Sequence, residues 1–551
     1  MSLPRDGFHS VPVETARVAH AAFPDGNVYL RLRDELGTLF DDEVFKAVYS
    51  SEGQPALHPW QLVLVSIMQF MENLSDRQAA QAVRARIDWK YALGLELSDE
   101  GFHYSVLSEF RTRLVQGSME QVLLDTMLKR CQERGWLKAR GRQRTDSTHI
   151  LGAVKVLNQL ELVGETLRHA LNVLATVAPE WLKPQVPSEW FERYAERIED
   201  YRLPKDTAER AALSAAIGED GYTLLARLEQ AATQLEWAWL KELPAVHMLE
   251  QTWAQQYRQV DGHAQRLTPK EMPPVSEWYR SPYDEEVRYG RKREFDWIGY
   301  KVHLSECCDD DLPHLITHVA TVPATQQDHH ALPEIHAELA DKSLLPRQHL
   351  VDAGYISAKR ILESRDVHAI ELIGPVHVDP SWQAHTPGAF DLSQFAIDWE
   401  HQVVTCPQGE HSAAWNHGKD AKGESVVTVW FAQSTCQVCP QRARCTKARA
   451  TGRTMTLRFP PERHELLLSA RARQQTPAFH EVYQARCGVE GTFSQTTRIT
   501  GMRRARYIGQ RKTHLQHIFT ALATNILRLV RWLEGVPFAK TRTSRFAALA
   551  A

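Results

Sequence analysis

Three acidic residues stand where they could do chemistry. Asp146 lies inside the strand-like run RTDSTHI, Asp352 falls between an apolar run and a glycine in HLVDAGY, and Glu490 lies in TPAFHEVYQARCGVEGTFSQ. Carboxylates suit hard divalent cations such as Mg²⁺, which take carboxylate, water and substrate oxygens. Two such ions about 4 Å apart can activate an attacking oxygen and stabilise a leaving one during in-line displacement at phosphorus. Open α/β sheets place active sites at the carboxyl ends of their strands, which is where Asp352 would sit. Thr476 suits an N-cap and Pro477 a first helical residue, so a helix is predicted through Glu490. At about 100° per residue, Tyr483, Arg486, Glu490 and Thr497 fall within roughly 60° of one another on that helix. Such a stripe is no core face. It suits a site where Glu holds a metal while Arg and Tyr hold phosphate oxygens. Most acids in any chain of this length are surface residues, so the shared context carries the reading rather than any single carboxylate.

Four of the eight cysteines make a second constellation, C-x29-C-x2-C-x5-C, at Cys406, Cys436, Cys439 and Cys445. The C-x2-C step has zinc-knuckle spacing, and four thiolates could complete a closed structural Zn²⁺ site. The C-x5-C step is less usual, and His411 or His417 could replace one ligand. The plain alternative is four reduced thiols in a loop. Cys131, Cys307, Cys308 and Cys487 show no such spacing. His149, His303, His329 and Asp328 lie near proposed strands and read as structural, with Asp328 suited to cap a helix. No Walker-type loop is present, so ATP use is not indicated.

Elements must position these residues. Residues 20–135 read as helices: Pro59 opens one, and Ser75 and Ser105 could cap two more. Arg84, Arg86, Lys90, Arg111 and Arg113 on these helices would suit a helix-turn-helix-like DNA-binding unit or, equally, a plain bundle. Residues 140–155 read as a strand. Residues 156–290 are helical again and look inserted, with tryptophans read as core. Residues 291–375 alternate strands (FDWIGYKVHLSEC, HLITHVATV, RQHLVDAGY, HAIELIGPV) with a helix, DHHALPEIHAELA. Residues 376–470 are irregular and hold the cysteines, 471–535 are helical, and 536–551 form a basic tail. The plan is α/β, a mixed sheet interrupted twice.

Charge follows the same segments. The net charge of −3 hides an acidic insertion, with twelve Lys/Arg against seventeen Asp/Glu over Val156–Lys270. It also hides a basic end, with eleven against one over Arg498–Arg545. DNA would therefore meet the ends of the chain rather than the insertion. The first twenty residues have no apolar h-region and no stretch of eighteen apolar residues occurs, so neither a secretory signal nor a membrane span is expected. The scarcity of cysteine fits a reducing, cytoplasmic setting.

The motifs DSTHI, LVDAGY and Y-x2-R-x3-E in YQARCGVEGTFSQ together resemble the DDE transposases of bacterial insertion sequences, closest to the subgroup with a Tyr-Arg-Glu-Lys signature. The resemblance continues through HPWQLVLVSIMQFMENLSDRQAAQAVRARIDWKYALGL, GYKVHLSE and GMRRARYIGQRKTHLQHIFTALATNILRLVRWL. It implies a ribonuclease-H-like core with an N-terminal helical domain, a long helical insertion and a Cys-containing insertion. It further implies DNA strand cleavage and transfer at terminal inverted repeats with two Mg²⁺ or Mn²⁺ ions, a homodimer or higher multimer on double-stranded DNA, and a nucleoid-associated location. By motif, Asp146, Asp352 and Glu490 would be the metal-binding triad, and Tyr483 and Arg486 would contact DNA phosphates. Arg498, Arg503, Arg504, Arg506, Arg511 and Lys512 are further candidate DNA contacts. One position departs from the signature: where the family places a Lys, this chain has Thr497, with Arg498 beside it, and Arg does not simply replace Lys at a phosphate. That departure supports a rival reading, a DNA-binding regulator descended from such an enzyme. A stand-alone nuclease and a zinc-dependent hydrolase are further alternatives.

Overall fold

The computed structural model describes residues 1–4, 10–420, 423–537 and 549. The expected basic tail therefore lies almost wholly outside the described residues. The sheet that carries the site has five principal strands: β1 (Arg142–Leu151), β2 (Phe295–Cys307), β3 (Ile316–Pro323), β4 (Gln348–Val351) and β5 (Glu371–Ile373). Their order is β3-β2-β1-β4-β5, and a short strand, Arg288–Lys292, also pairs with the start of β2. β1 runs antiparallel to β2 and parallel to β4, and β4 runs parallel to β5.

β1 is an unusual central strand. Gln143, Arg144, Thr145, Asp146, Ser147 and Thr148 are all buried. Burying polar side chains is costly unless each finds a partner. Here Gln143 donates to the Leu344 carbonyl at 2.8 Å, Arg144 pairs with Glu306 at 2.7 Å, and Thr145 meets both Ser305 and His349 at 2.6 Å. Such a strand is held in place by its polar partners rather than by apolar packing.

The N-terminal helices do not form a core of their own. Phe70, Leu107, Phe110, Leu114 and Leu123 share one apolar cluster with Val302 and Leu304 of β2 and with Ile518 and Phe519 of the long closing helix Gln510–Leu533. Phe70 stacks on Phe519 with ring centroids 5.6 Å apart. Pro59 opens its helix as expected, and Ser75 makes a capping box with Gln78. Ser105 does not cap: it is the first residue of its helix, and its hydroxyl meets His103 at 3.0 Å.

The insertion builds a separate core from helices Gln159–Val177, Thr207–Ala232 and Pro244–Gln256. Trp181, Trp190, Trp253 and Trp278 are buried as expected, whereas Trp239 is exposed. The segment expected to be irregular, 376–470, contains a three-stranded antiparallel sheet, Ala414–Lys419, Ser425–Trp430 and Thr454–Arg458, with its own small apolar core. The β-branched run SVVTVW was its sequence signal. Among the described residues no helix is long and apolar enough to cross a membrane.

Candidate active site

Register brings the first two acids together. Thr145 of β1 lies beside Val351 of β4 in the parallel ladder, so one step further along both strands sets Asp146 beside Asp352. Adjacent strands lie only about 4.8 Å apart. The Asp146 carboxylate accepts the Ser147 backbone N–H at 2.7 Å and pairs with Arg486 at 2.8 Å. Asp352 accepts the Gly354 N–H at 2.7 Å.

The third acid arrives through Arg486. Its other terminal nitrogen binds Glu490 at 3.0 Å, so one guanidinium bridges Asp146 and Glu490. Burial raises the Asp146 pKa from 3.8 to about 6, Arg486 opposes that rise, and Asp352 adds to it. Tyr483 stacks on Phe479, and burial together with the charges of Asp352 and Asp146 pushes its phenol up to about 12. The expected set of Asp146, Asp352, Glu490, Tyr483 and Arg486 is therefore one cluster. Asp146 and Glu490 meet around an arginine, and Asp352 lies beside Asp146 in the strand register. As placed, no group of three or more His, Cys, Asp or Glu side chains among the described residues could hold a metal ion.

The helix expected to carry this motif is not continuous. It breaks into Pro477–Tyr483, a 3₁₀ turn at Gln484–Cys487, and Gly488–Thr500. The Thr476 cap is present, its hydroxyl accepting the Phe479 N–H. Arg144 of β1 meets the chain at this turn. Its guanidinium donates to the Ala485 carbonyl at 2.5 Å, and it fills the place a Cβ would take at Gly488, 2.1 Å away. Behind the turn, Glu306 is fully buried between Arg144 and Arg528, each at 2.7 Å, and accepts the Thr492 hydroxyl at 2.6 Å. Burial disfavours that charge, but the two arginines hold the carboxyl below its ordinary value. This network ties the helix of Glu490 to β1, β2 and the closing helix.

Asp328 was read as a helix cap, but Gln327 is the N-cap. The Asp328 carboxylate instead meets Lys301 at 2.9 Å and the Ser147 hydroxyl at 3.1 Å. A Cβ built on Gly354 would lie 3.0 Å from Asp352 and 3.1 Å from Asp328, so this fourth acid borders the site. Its only sequence signal was its position after the strand ending at Pro323. His303, under the sheet, shares a 2.6 Å hydrogen bond with Tyr355, and burial lowers its pKa to about 4.

A groove of about 1630 Å³ opens beside β1, lined by Ser147, Thr148 and His149. Arg291, Lys292, Lys301, Lys359, Arg360, Arg458, Arg463 and Arg471 also line it, against the acids Asp328, Asp420 and Glu424. Lys292 and Arg503 both lower the pKa of His149, after burial, so Arg503 stands near this groove.

The expected basic contacts divide. Arg498, Arg503, Arg504 and Lys512 are exposed. Arg506 donates to the Leu74 carbonyl at 3.0 Å and lies over Phe70, and Arg511 pairs with Glu120 at 2.8 Å. Both hold the N-terminal helices to the catalytic unit. The cations of the suggested helix-turn-helix are committed likewise: Arg84 binds the Glu100 carbonyl, Arg86 binds Glu72 and Asp88, Lys90 binds three carbonyls, Arg111 binds Asp76, and Arg113 lies over Tyr49.

The strand order, with its central acidic strand, defines a ribonuclease-H-like fold with an acidic site at the ends of β1 and β4. A family model described as "Transposase DDE domain" matches residues 405–530, and one described as "Transposase domain (DUF772)" matches residues 18–113. Both matches are to transposase domains, one N-terminal and one a C-terminal DDE domain, the pairing expected of a DDE transposase. The first match includes Glu490 but neither Asp146 nor Asp352, whose assignment rests on the register and charge pattern above. The search of curated proteins found no match.

Proposed function

We propose that this transposase cleaves DNA at the terminal inverted repeats of a bacterial insertion sequence and transfers the freed strand, with Asp146, Asp352 and Glu490 holding two Mg²⁺ or Mn²⁺ ions. The observation that carries the reading is the convergence of Asp146 and Glu490 on one guanidinium, with Asp352 beside Asp146 in the strand register. Asp146 and Glu490 already grip a cation, and the donor set is the hard-oxygen type that Mg²⁺ prefers. Bound there, such ions would activate the attacking oxygen and stabilise the leaving one.

The chain's own residues supply the rest. Arg486 serves as an internal counter-ion to the buried Asp146 carboxylate and the exposed Glu490 without metal. It releases them as DNA enters and turns to a phosphate, for which its planar fork is suited. Tyr483 offers a protonated phenol to a second phosphate oxygen. Lys292 lies close enough to influence Asp146 and lines the groove, so it guides the backbone toward the acids. Arg498, Arg503, Arg504 and Lys512 extend the positive surface. Two element ends must be cut together, which favours a homodimer or larger assembly on DNA.

Purified protein with Mg²⁺ and a fragment bearing the matching inverted repeats is expected to nick at the element's end and to join that end to a target. Asp352→Ala is expected to remove both activities while DNA binding persists. Cleavage by Asp352→Ala at the wild-type rate would refute the triad. The regulator reading is favoured by Thr497, whose hydroxyl is buried without a partner where the signature has a cation. Binding to the repeats with no single-turnover cleavage would establish it.

A further inference from the structure

Half of the chain's cysteines meet in one place that the DNA chemistry does not use. Cys406, Cys436, Cys439 and Cys445 all line a single small cavity of about 30 Å³ in the 376–470 unit. None of the eight cysteines is in a disulfide, and the other four lie elsewhere: Cys131, Cys307 and Cys308 buried, Cys487 exposed.

Local structure prepares each thiol. Cys406 follows the strand Val403–Thr405 and starts a tight turn, in which the Gly409 N–H donates to the Cys406 carbonyl at 2.9 Å and the Cys406 N–H to the Glu410 carbonyl at 2.8 Å. Cys436 sits in the short helix Gln433–Gln437, with the Arg453 N–H directed at its sulfur at 3.5 Å. Cys439 lies just beyond that helix, and Cys445 ends the next, Arg442–Cys445. Two turn-and-helix segments thus present one and three thiols to the same point across about thirty residues of intervening sheet. Phe390, Phe395 and Phe431 wall the cavity on its apolar side, and the four cysteines are half-buried.

We propose that Cys406, Cys436, Cys439 and Cys445 bind one structural Zn²⁺ that locks the 376–470 unit. Four thiolates are the donor set of closed tetrahedral zinc sites, and the C-x2-C step supplies the usual knuckle. As placed, these side chains do not yet form a group that could hold a metal ion. Zn–S bonds of about 2.3 Å require the four thiols that line the cavity to turn inward on binding.

The unit has reason to need a clasp. Its core holds only eight buried apolar residues, among them Phe395, Val427, Val429 and Leu457, and cores this small generally require a disulfide or a metal. Its outer strand and the following helix supply Arg458, Arg463 and Arg471 to the groove, so loss of the metal would loosen one groove wall without touching the acids.

The test uses the full chain, purified without chelator from zinc-supplemented medium. Elemental analysis is expected to find one zinc per chain, released by a mercurial thiol reagent. Cobalt exchanged into the site should give the strong visible bands of tetrahedral thiolate ligation. Cys439→Ser is expected to lose the metal, while Cys131→Ser retains it. Iron in place of zinc, a disulfide between any of the four cysteines, or full zinc retention in Cys439→Ser would overturn the proposal. Should Cys439→Ser fail to fold, the wild-type metal content and cobalt spectrum still decide. Neither readout depends on DNA cleavage, so failure here is distinct from failure of the triad.

Discussion

Asp146 carries a measurable tension between stability and function. Its pKa lies at about 6 in the folded protein against an ordinary 3.8, chiefly because burial penalises the charge. The folded state therefore holds an extra proton between these values. The stability this contributes is fully present below 3.8 and is lost as pH rises through about 6. In metal-free buffer, Asp146→Asn is expected to raise the melting temperature above pH 7, by up to roughly 2–3 kcal/mol of stability, since one pKa unit is about 1.4 kcal/mol. The gain should shrink as the pH is lowered below 6 and vanish near 4, while DNA cleavage is lost at every pH. A melting temperature that is unchanged or lowered at pH 8 would show that the carboxylate is not held against its preference. The type and strand context of Asp146 were legible in RTDSTHI. Its partner Arg486 was legible only as a neighbour of Glu490 on a helix, because the pairing spans 340 residues.

At the scale of elements, the break between Tyr483 and Gly488 sets the aim of the site. A helix of uniform pitch was the natural reading of TPAFHEVYQARCGVEGTFSQ, although Gly488 and Gly491 weaken it. At the interruption Arg144, anchored by Glu306 and by the Ala485 carbonyl, occupies the space beside Gly488. Although the contact is to the end of a long side chain, that end is buried and held at two points, so it cannot swing away freely. Gly488→Ala is expected to cost about 1–3 kcal/mol, as overpacked sites do, and to depress cleavage more than DNA binding. Chemical denaturation and a cleavage assay on the same preparation would check it. A variant with wild-type stability and rate would mean that the turn tolerates a Cβ and that Arg144 does not shape it. The strand limits of FDWIGYKVHLSEC were readable from β-branched and aromatic alternation, and the structure gives Phe295–Cys307. The small sheet at 414–458 was obscured by the glycines, prolines and cysteines around it.

For the whole molecule, the N-terminal helices and the catalytic sheet are halves of one core, with the closing helix between them. Phe519 is fully buried at that junction and stacks on Phe70. Phe519→Ala is expected to cost about 3–5 kcal/mol. Hydrogen exchange should show protection falling together in helix Pro59–Met71 and in β3, since both pack on the closing helix. Loss of protection confined to the closing helix would show that the two parts fold independently. The acidic insertion, with its separate core, should keep its protection in that variant. The sequence suggested separate domains at these boundaries because helix and strand patterns change abruptly near residue 140. Pattern reports local conformation, whereas core sharing depends on which apolar faces meet.

What the sequence by itself determined was local: the acids, their flanking strand and helix patterns, the caps at Ser75 and Thr476, and the cysteine spacing. These follow from backbone preference and side-chain periodicity over a few residues. Tertiary structure decided the rest. It set the parallel register that places Asp146 beside Asp352 across a sequence separation of 206, the guanidinium shared by Asp146 and Glu490, the turning of Asp328 toward the site, and the commitment of Arg84, Arg86, Lys90, Arg111 and Arg113 to internal partners. The physical reason is that strand register and charge pairing act through space at a few ångströms, a distance that position along the chain does not encode.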